Sequence, residues 1–284
     1  MTTLNDARRA LAARLGVAGI ADAALEAKYL LAAATGLEGA SLIAEGRREI
    51  TADEAERLEA MAARRLAREP LAHILGSQPF WTLDLEVSPD VLIPRTDTET
   101  LVETALDLMP SASGIQRVLD VGTGSGAVLL AILKERPNAY GIGTDVSPAA
   151  LTIAERNAAR NGLDGRSSFR QTSWADGLKD GDFDLAVSNP PYIATAVIAG
   201  LEPEVRDHDP ALALDGGEDG LDAYRVLLPE LFRILKPGAP VAVEIGFDQA
   251  ASVSVLAGEA GFTGMAIRRD LGGNDRVVSA LKPK

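Results

Sequence analysis

The apolar positions of this chain change period along its length. Near the start, Leu4, Leu11 and Leu15 recur on one helical face, and Gly16 can end that helix. Ala24 to Leu31 belongs to a second helix with Gly36 as its C-cap. Thr51-Ala52-Asp53-Glu54 has capping-box spacing and opens a third, which runs through Leu58, Met61 and Leu66 until Pro70 stops it. From Phe80 to Val87 the pattern alternates apolar and polar. Ser88-Pro89-Asp90 then turns and Val91-Leu92-Ile93 follows, which predicts a β-hairpin. Beyond that, strand and helix patterns alternate. A helix over 98–109 precedes a strand at 117–121, and a helix over 127–136 precedes a strand at 139–145. A helix over 148–161 leads to strands near 167–171 and 183–188. A long loop comes next, then a helix over 221–235, a strand at 241–245 and a helix over 249–260. Residues 265–269 and 277–281 can pair across Gly272-Gly273.

Strands separated by helices predict an α/β fold with a doubly wound, Rossmann-like parallel sheet. The closing pair has no helix between its strands, which predicts one antiparallel strand at that end. The expected organisation is therefore a helical domain over 1–75, a β-hairpin linker over 76–97 and a sheet domain over 98–284. Nothing in the helical part carries chemistry by itself, so its role is partner recognition or a structural lid.

Composition narrows the setting. Of 284 residues 46% are hydrophobic, which makes the chain globular. No apolar run reaches the roughly 18 residues of a membrane span. The first ten residues lack the apolar core of a secretory signal, and Asp6 with the early helical pattern argues against a transit peptide. There is no cysteine, hence no disulfide, thiolate metal site or cysteine nucleophile. A cytoplasmic protein without a metal is expected. The net charge of −13 and the lack of a basic cluster argue against a grip on nucleic acid. Acids gather at Glu202, Glu204, Asp207, Asp209, Asp215, Glu218, Asp219 and Asp222. This stretch is either a solvated loop or a face for a basic macromolecular partner.

Two motifs carry candidate chemistry. Val118-Leu119-Asp120-Val121 runs into Gly122-Thr123-Gly124-Ser125-Gly126 and then a helix. Glycines there let a ligand lie against the backbone at the carboxyl end of the first sheet strand, where open α/β sheets bind nucleotides. Asp145 ends the second strand, and its carboxylate can accept both hydroxyls of a ribose. Asp120, just before the glycines, can hold the loop or the methionyl part of S-adenosylmethionine. Gly122, Gly124 and Ala127 also satisfy the relaxed dinucleotide pattern, so a nicotinamide oxidoreductase stays open on this motif alone. The second motif is Asn189-Pro190-Pro191-Tyr192, after the apolar run Phe183 to Ser188. By itself it reads as an ordinary Pro-rich turn. It can also hold a planar NH2 group. The Asn189 side-chain oxygen and the Pro190 carbonyl are acceptors, the prolines fix their direction, and Tyr192 offers a stacking face. The fourth strand of a doubly wound sheet lies beside the first, so Asn189 should open into the same crevice as Gly122 to Gly126. Methyl transfer to nitrogen needs such a site and hydride transfer does not.

These segments resemble the release-factor glutamine methyltransferases of the PrmC/HemK type, over nearly the whole chain and most strongly over 70–284. Pro70 to Gly76, Phe80-Trp81, and Leu92-Ile93-Pro94-Arg95 through Thr98-Glu99 look like that family's inter-domain stretch. Leu212 to Leu221, Tyr224-Arg225, Glu244-Ile245-Gly246 and Asn274-Asp275-Arg276 match later segments. Thr96 departs from the proline common there. The tetrapeptide alone would equally suit an adenine-N6 nucleic-acid methyltransferase. The resemblance implies S-adenosylmethionine as donor and the glutamine of a Gly-Gly-Gln motif in class 1 peptide-chain release factors as acceptor. It implies Gly122 to Gly126, Asp145 and Asn189 at the cofactor and Asn189 to Tyr192 at the glutamine, with Asn189, Pro190 and Tyr192 in the chemistry. Trp174 reads as a core tryptophan by itself, and the resemblance puts it near the adenine. The family also implies a monomer. His73 and His208 read as a structural and a surface residue.

Overall fold

The computed structural model describes residues 2–109 and 115–284. Met1 and residues 110–114, inside the expected 1–75 and 98–284 segments, lie outside that range. The chain divides into two compact units, one of residues 1–76 with 203–208, the other of 77–202 with 209–284.

The first unit is helical: α1 (Leu4–Val17), α2 (Ala23–Thr35), α3 (Gly39–Ala44), α4 (Ala52–Leu66) and α5 (Leu71–Leu75). Two of the predicted ends form, while α1 runs through Gly16 to Val17 and is closed by Ala18. Thr51 accepts from the Glu54 N–H while Glu54 accepts from the Thr51 N–H. Gly36 closes α2 in the left-handed region with its N–H on Ala32 O. Leu4, Leu11 and Leu15 of α1 pack with Leu30, Leu31, Leu58 and Ile74. The short helices α3 and α5 carry too little periodicity to be predicted. His73 is buried in α5.

The second unit opens with a hairpin of β1 (Ser77–Phe80) and β2 (Leu83–Glu86), paired antiparallel. This corrects the expected pairing of 80–87 with 91–93. The turn is Trp81-Thr82, with Trp81 at φ 56°. An indole at that angle is strained, and its surroundings hold it there. The Trp81 backbone N–H donates to Glu99 and its ring N–H to Glu135. Val91 is buried outside any strand. A 3-10 turn, Thr96–Thr98, then leads into α6 (Glu99–Leu108).

Next come β3 (Gln116–Val121), α7 (Ala127–Glu135), β4 (Ala139–Asp145), α8 (Pro148–Arg160), β5 (Ser167–Gln171) and β6 (Leu185–Ser188). The one-turn helices α9 (Thr195–Ile198), α10 (Pro203–Arg206, part of the helical unit) and α11 (Ala211–Leu214) follow. The chain closes with α12 (Asp222–Ile234), β7 (Pro240–Glu244), α13 (Ala250–Glu259), β8 (Thr263–Arg269) and β9 (Asp275–Leu281). The sheet order is β5-β4-β3-β6-β7-β9-β8. Only β9 runs against its neighbours, so one antiparallel strand is present as expected. It lies inside the sheet, between β7 and β8, and not at the edge. β6 pairs in parallel with β3, aligning Val121 with Ser188. Apolar clusters cover both faces, α7 with α6 on one and α12 with α13 on the other. The doubly wound α/β fold with an N-terminal helical region is therefore as the hydropathy pattern predicts.

Candidate active site

The carboxyl ends of β3 and β6 lie side by side where the strand order reverses. Ser188 is fully buried, and its hydroxyl donates to Val121 O at 2.7 Å. The residue before Asn189 is thereby tied to the residue before Gly122. A cavity of about 540 Å³ opens above the junction, within the range of small-molecule sites. Gly122, Thr123, Gly124 and Ser125 line it, with Asp145, Trp174, Asn189, Pro190 and Pro191. Both motifs thus meet in one crevice.

The glycine turn is held from below. Thr123 donates from its hydroxyl to Asp120 at 2.7 Å. Asp120 is 2% exposed, and burial pushes its carboxyl up to about 7. Gly122 and Gly124 have φ 71° and 54°, and a Cβ at either would point into open space. This is a backbone cradle against which a ligand can lie. Gly126 has another task. It does not line the cavity, and a Cβ there would lie 3.2 Å from Leu130 and 3.3 Å from Ala154, so its smallness serves helix packing.

Asp145 ends β4 with both oxygens engaged, one by the Gly124 N–H at 3.0 Å and the other by the Ser147 N–H at 2.9 Å. Each oxygen keeps a further lone pair, and the carboxylate is fixed in orientation. Trp174 lines the cavity at φ 51°, its carbonyl accepting from the Thr144 hydroxyl at 2.8 Å. The cradle, the fixed carboxylate and the indole are groups that could hold a nucleoside.

Tyr192 stands apart from the other predicted residues. It lines an adjoining recess of about 20 Å³ with Leu92, Arg95, Asn189 and Glu244. Burial raises its phenol above the usual value, and its carbonyl accepts from Gln249 at 3.0 Å. Asn189 touches both spaces.

Several residues outside the predicted set build this site. Asn157 of α8 is fully buried and bonds to both backbone groups of Glu86 and to Ser125 O. Gln249 holds Gly246 N–H, Tyr192 O and Gly220 O together. Thr98 and Glu244 are buried beside Asn189. A buried polar residue inside an apolar pattern was the available signal. It names no partner, because the partners lie far away in sequence.

Known proteins match both units. The PrmC N-terminal domain model matches residues 6–76 and the Methyltransferase small domain model residues 97–200. The release factor glutamine methyltransferase of Bradyrhizobium diazoefficiens is 48% identical over 283 residues, covering 99% of this chain and 95% of that protein. That of Caulobacter vibrioides is 45% identical over 280 residues, covering 99% and 96%. The chain belongs to the release factor glutamine methyltransferase family. The solved methyltransferase of Pyrococcus furiosus covers 80% of this chain and 100% of its own at TM-score 0.53 and 21% identity. At that identity it speaks for the methyltransferase fold alone. Among the described residues no group of three or more His, Cys, Asp or Glu is placed to hold a metal ion. None of their helices is long and apolar enough to cross a membrane.

Proposed function

We propose that this chain transfers a methyl group from S-adenosylmethionine to the side-chain nitrogen (N5) of the glutamine in the Gly-Gly-Gln motif of class 1 release factors. Family membership supports the reaction class. The single observation that carries the assignment of residues is that Asn189 opens into the cavity whose other wall is the Gly122–Ser125 cradle. In this reading Gly122 to Ser125, Asp145 and Trp174 hold the donor, which supplies an electrophilic methyl on a sulfonium centre.

The protein's own task is to make an amide nitrogen attack. That nitrogen is a poor nucleophile because its lone pair is delocalised into the carbonyl. Asn189 Oδ1 and the Pro190 carbonyl accept its two hydrogens, which places electron density on nitrogen and aims it. Alignment of this kind is worth about 7–11 kcal/mol in favourable cases. The two bonds strengthen as positive charge grows on nitrogen, so they favour the transition state over the ground state. The methylated amide is acidic and loses its proton late, without a strong base beside it.

Mass spectrometry of a release factor co-expressed with this chain tests the reading. One added methyl on the Gly-Gly-Gln glutamine is expected. An unmodified glutamine, with label from methyl-labelled donor found instead on DNA, overturns it.

A further inference from the structure

An asparagine amide can face either way. Only one orientation presents oxygen to an incoming NH2, and a neighbour must choose it. Here the Asn189 Nδ2 donates to Thr98 Oγ1 at 3.4 Å, at the long end for such a bond. Thr98 is 5% exposed at the end of the 3-10 turn before α6. The register of β6 on β7 puts Glu244, 2% exposed at the end of β7, beside Asn189, and the Thr98 hydroxyl favours the ionised form of its carboxylate, as a donor does. With Glu244 ionised the chain has one polarity: Asn189 donates to Thr98 and Thr98 donates to Glu244. The Asn189 oxygen is then the atom left for a ligand. The Glu244 Oε2 is buried without a hydrogen-bond partner, and Glu244 lines the recess together with Asn189 and Tyr192.

We propose that Thr98 and Glu244 are positioning residues that lock the Asn189 side chain with its oxygen toward the target amide. The inference rests on the role given to Asn189 above.

The charged groups around Glu244 set when the lock holds. Arg276 on β9 and Arg95 before the 3-10 turn favour the carboxylate, and Asp97 opposes it. The phenols of Tyr192 and Tyr224 also face it. Burial outweighs the cations and pushes the carboxyl up to about 7. Below that pH the protonated Glu244 can donate to Thr98, Thr98 can donate onward, and the reversed amide becomes as good. Turnover should therefore fall as pH drops through about 7.

The test compares Thr98→Val, Thr98→Ser, Glu244→Gln and Asn189→Ala in the full chain, with release factor as substrate. The urea midpoint by tryptophan fluorescence serves as the folding control, since Trp81 and Trp174 both lie in the sheet unit. Thr98→Val should lower kcat about tenfold to a hundredfold, the scale of a misplaced catalytic group, with a smaller change in KM. Thr98→Ser, which keeps the hydroxyl, should restore it. Glu244→Gln should be slow at every pH and lack the limb near 7. The lock is wrong if Thr98→Val keeps the parent kcat while Asn189→Ala is inactive, or if Glu244→Gln keeps the parent's pH limb. An active Asn189→Ala sinks the underlying role of Asn189 instead. Should Glu244→Gln fail to fold, the Thr98 pair decides.

Discussion

Asp120 shows what the site costs one residue at a time. Its carboxyl lies under the glycine turn with its proton affinity raised to about 7 by burial, against about 3.9 in an unfolded chain. The native state then binds the proton more tightly. Between pH 4 and 7 it holds more of that proton than the unfolded state, so this group's contribution to stability is full below about 4 and is lost as pH rises through about 7. Asp120→Asn keeps an acceptor for Thr123 and removes the charge. Relative to the parent, the variant should gain stability from pH 5 to pH 8, read as urea midpoints. Both tryptophans, Trp81 and Trp174, lie in the sheet unit, so their fluorescence reports that unit alone. Equal differences at the two pH values would reject the charge as the cause. At this scale the sequence discloses the groups that would meet ligands. The glycines, Asp145 and Asn189 stand at strand ends where topology exposes them. It matches Thr98 and Glu244 to family segments but discloses no task for them, because a contact with another side chain has no periodicity or spacing to announce it.

Between elements, one side chain joins three pieces. Asn157 accepts from the Glu86 N–H at 2.6 Å and donates to Glu86 O at 3.0 Å and Ser125 O at 2.9 Å. It thereby couples α8, the hairpin strand β2 and the glycine turn. Asn157→Ala strands one buried donor and two acceptors at about 1–3 kcal/mol for each left unsatisfied. The urea midpoint by tryptophan fluorescence should drop and donor affinity weaken with it. Asn157→Asp retains the acceptor but turns a carboxylate toward two carbonyl oxygens. It should rescue nothing at pH 8, and full rescue would mean that the lost donors do not matter. Element existence was readable where pattern and caps agree, as at Thr51 and Gly36 or in the alternating strands and helices from β3 onward. The hairpin pairs differently from the pattern because its turn falls at Trp81-Thr82, inside the alternating run, with Trp81 at a positive φ that local preference disfavours and its two N–H groups bonded to Glu99 and Glu135 far along the chain. The buried Val91 belongs to the loop lining the cavity, so its apolar character reported burial and not a strand.

On the scale of the whole molecule, the net charge of −13 invites a simple picture of an acidic face for a basic partner, and the ion pairs redistribute it. Glu204 binds Arg65 at 2.9 Å and Arg68 at 2.8 Å inside the helical unit. Arg65, 5% exposed, also binds Glu26 at 2.6 Å. Asp207 pairs with Arg206, Asp209 with Arg95, and Asp219 and Asp222 with Arg225. Much of the acidic stretch is therefore committed within its own unit. Charge reversal at different positions in it must read different things. Glu204→Lys places a cation against the buried Arg65 and removes one of its two carboxylates; because Glu204 itself is only part-buried, the loss should fall below the roughly 3–5 kcal/mol of a fully buried pair. The helical unit should melt earlier by calorimetry, and any loss of turnover would follow from that. Glu202 is exposed, so Glu202→Lys should leave melting unchanged. If an acidic face meets the substrate protein, that variant raises KM for it and the effect fades at high salt, as screening requires. Unchanged melting in Glu204→Lys would show that the Arg65 cluster is not structural. An unchanged KM in Glu202→Lys would leave the 202–222 stretch as the fold's own electrostatic framework.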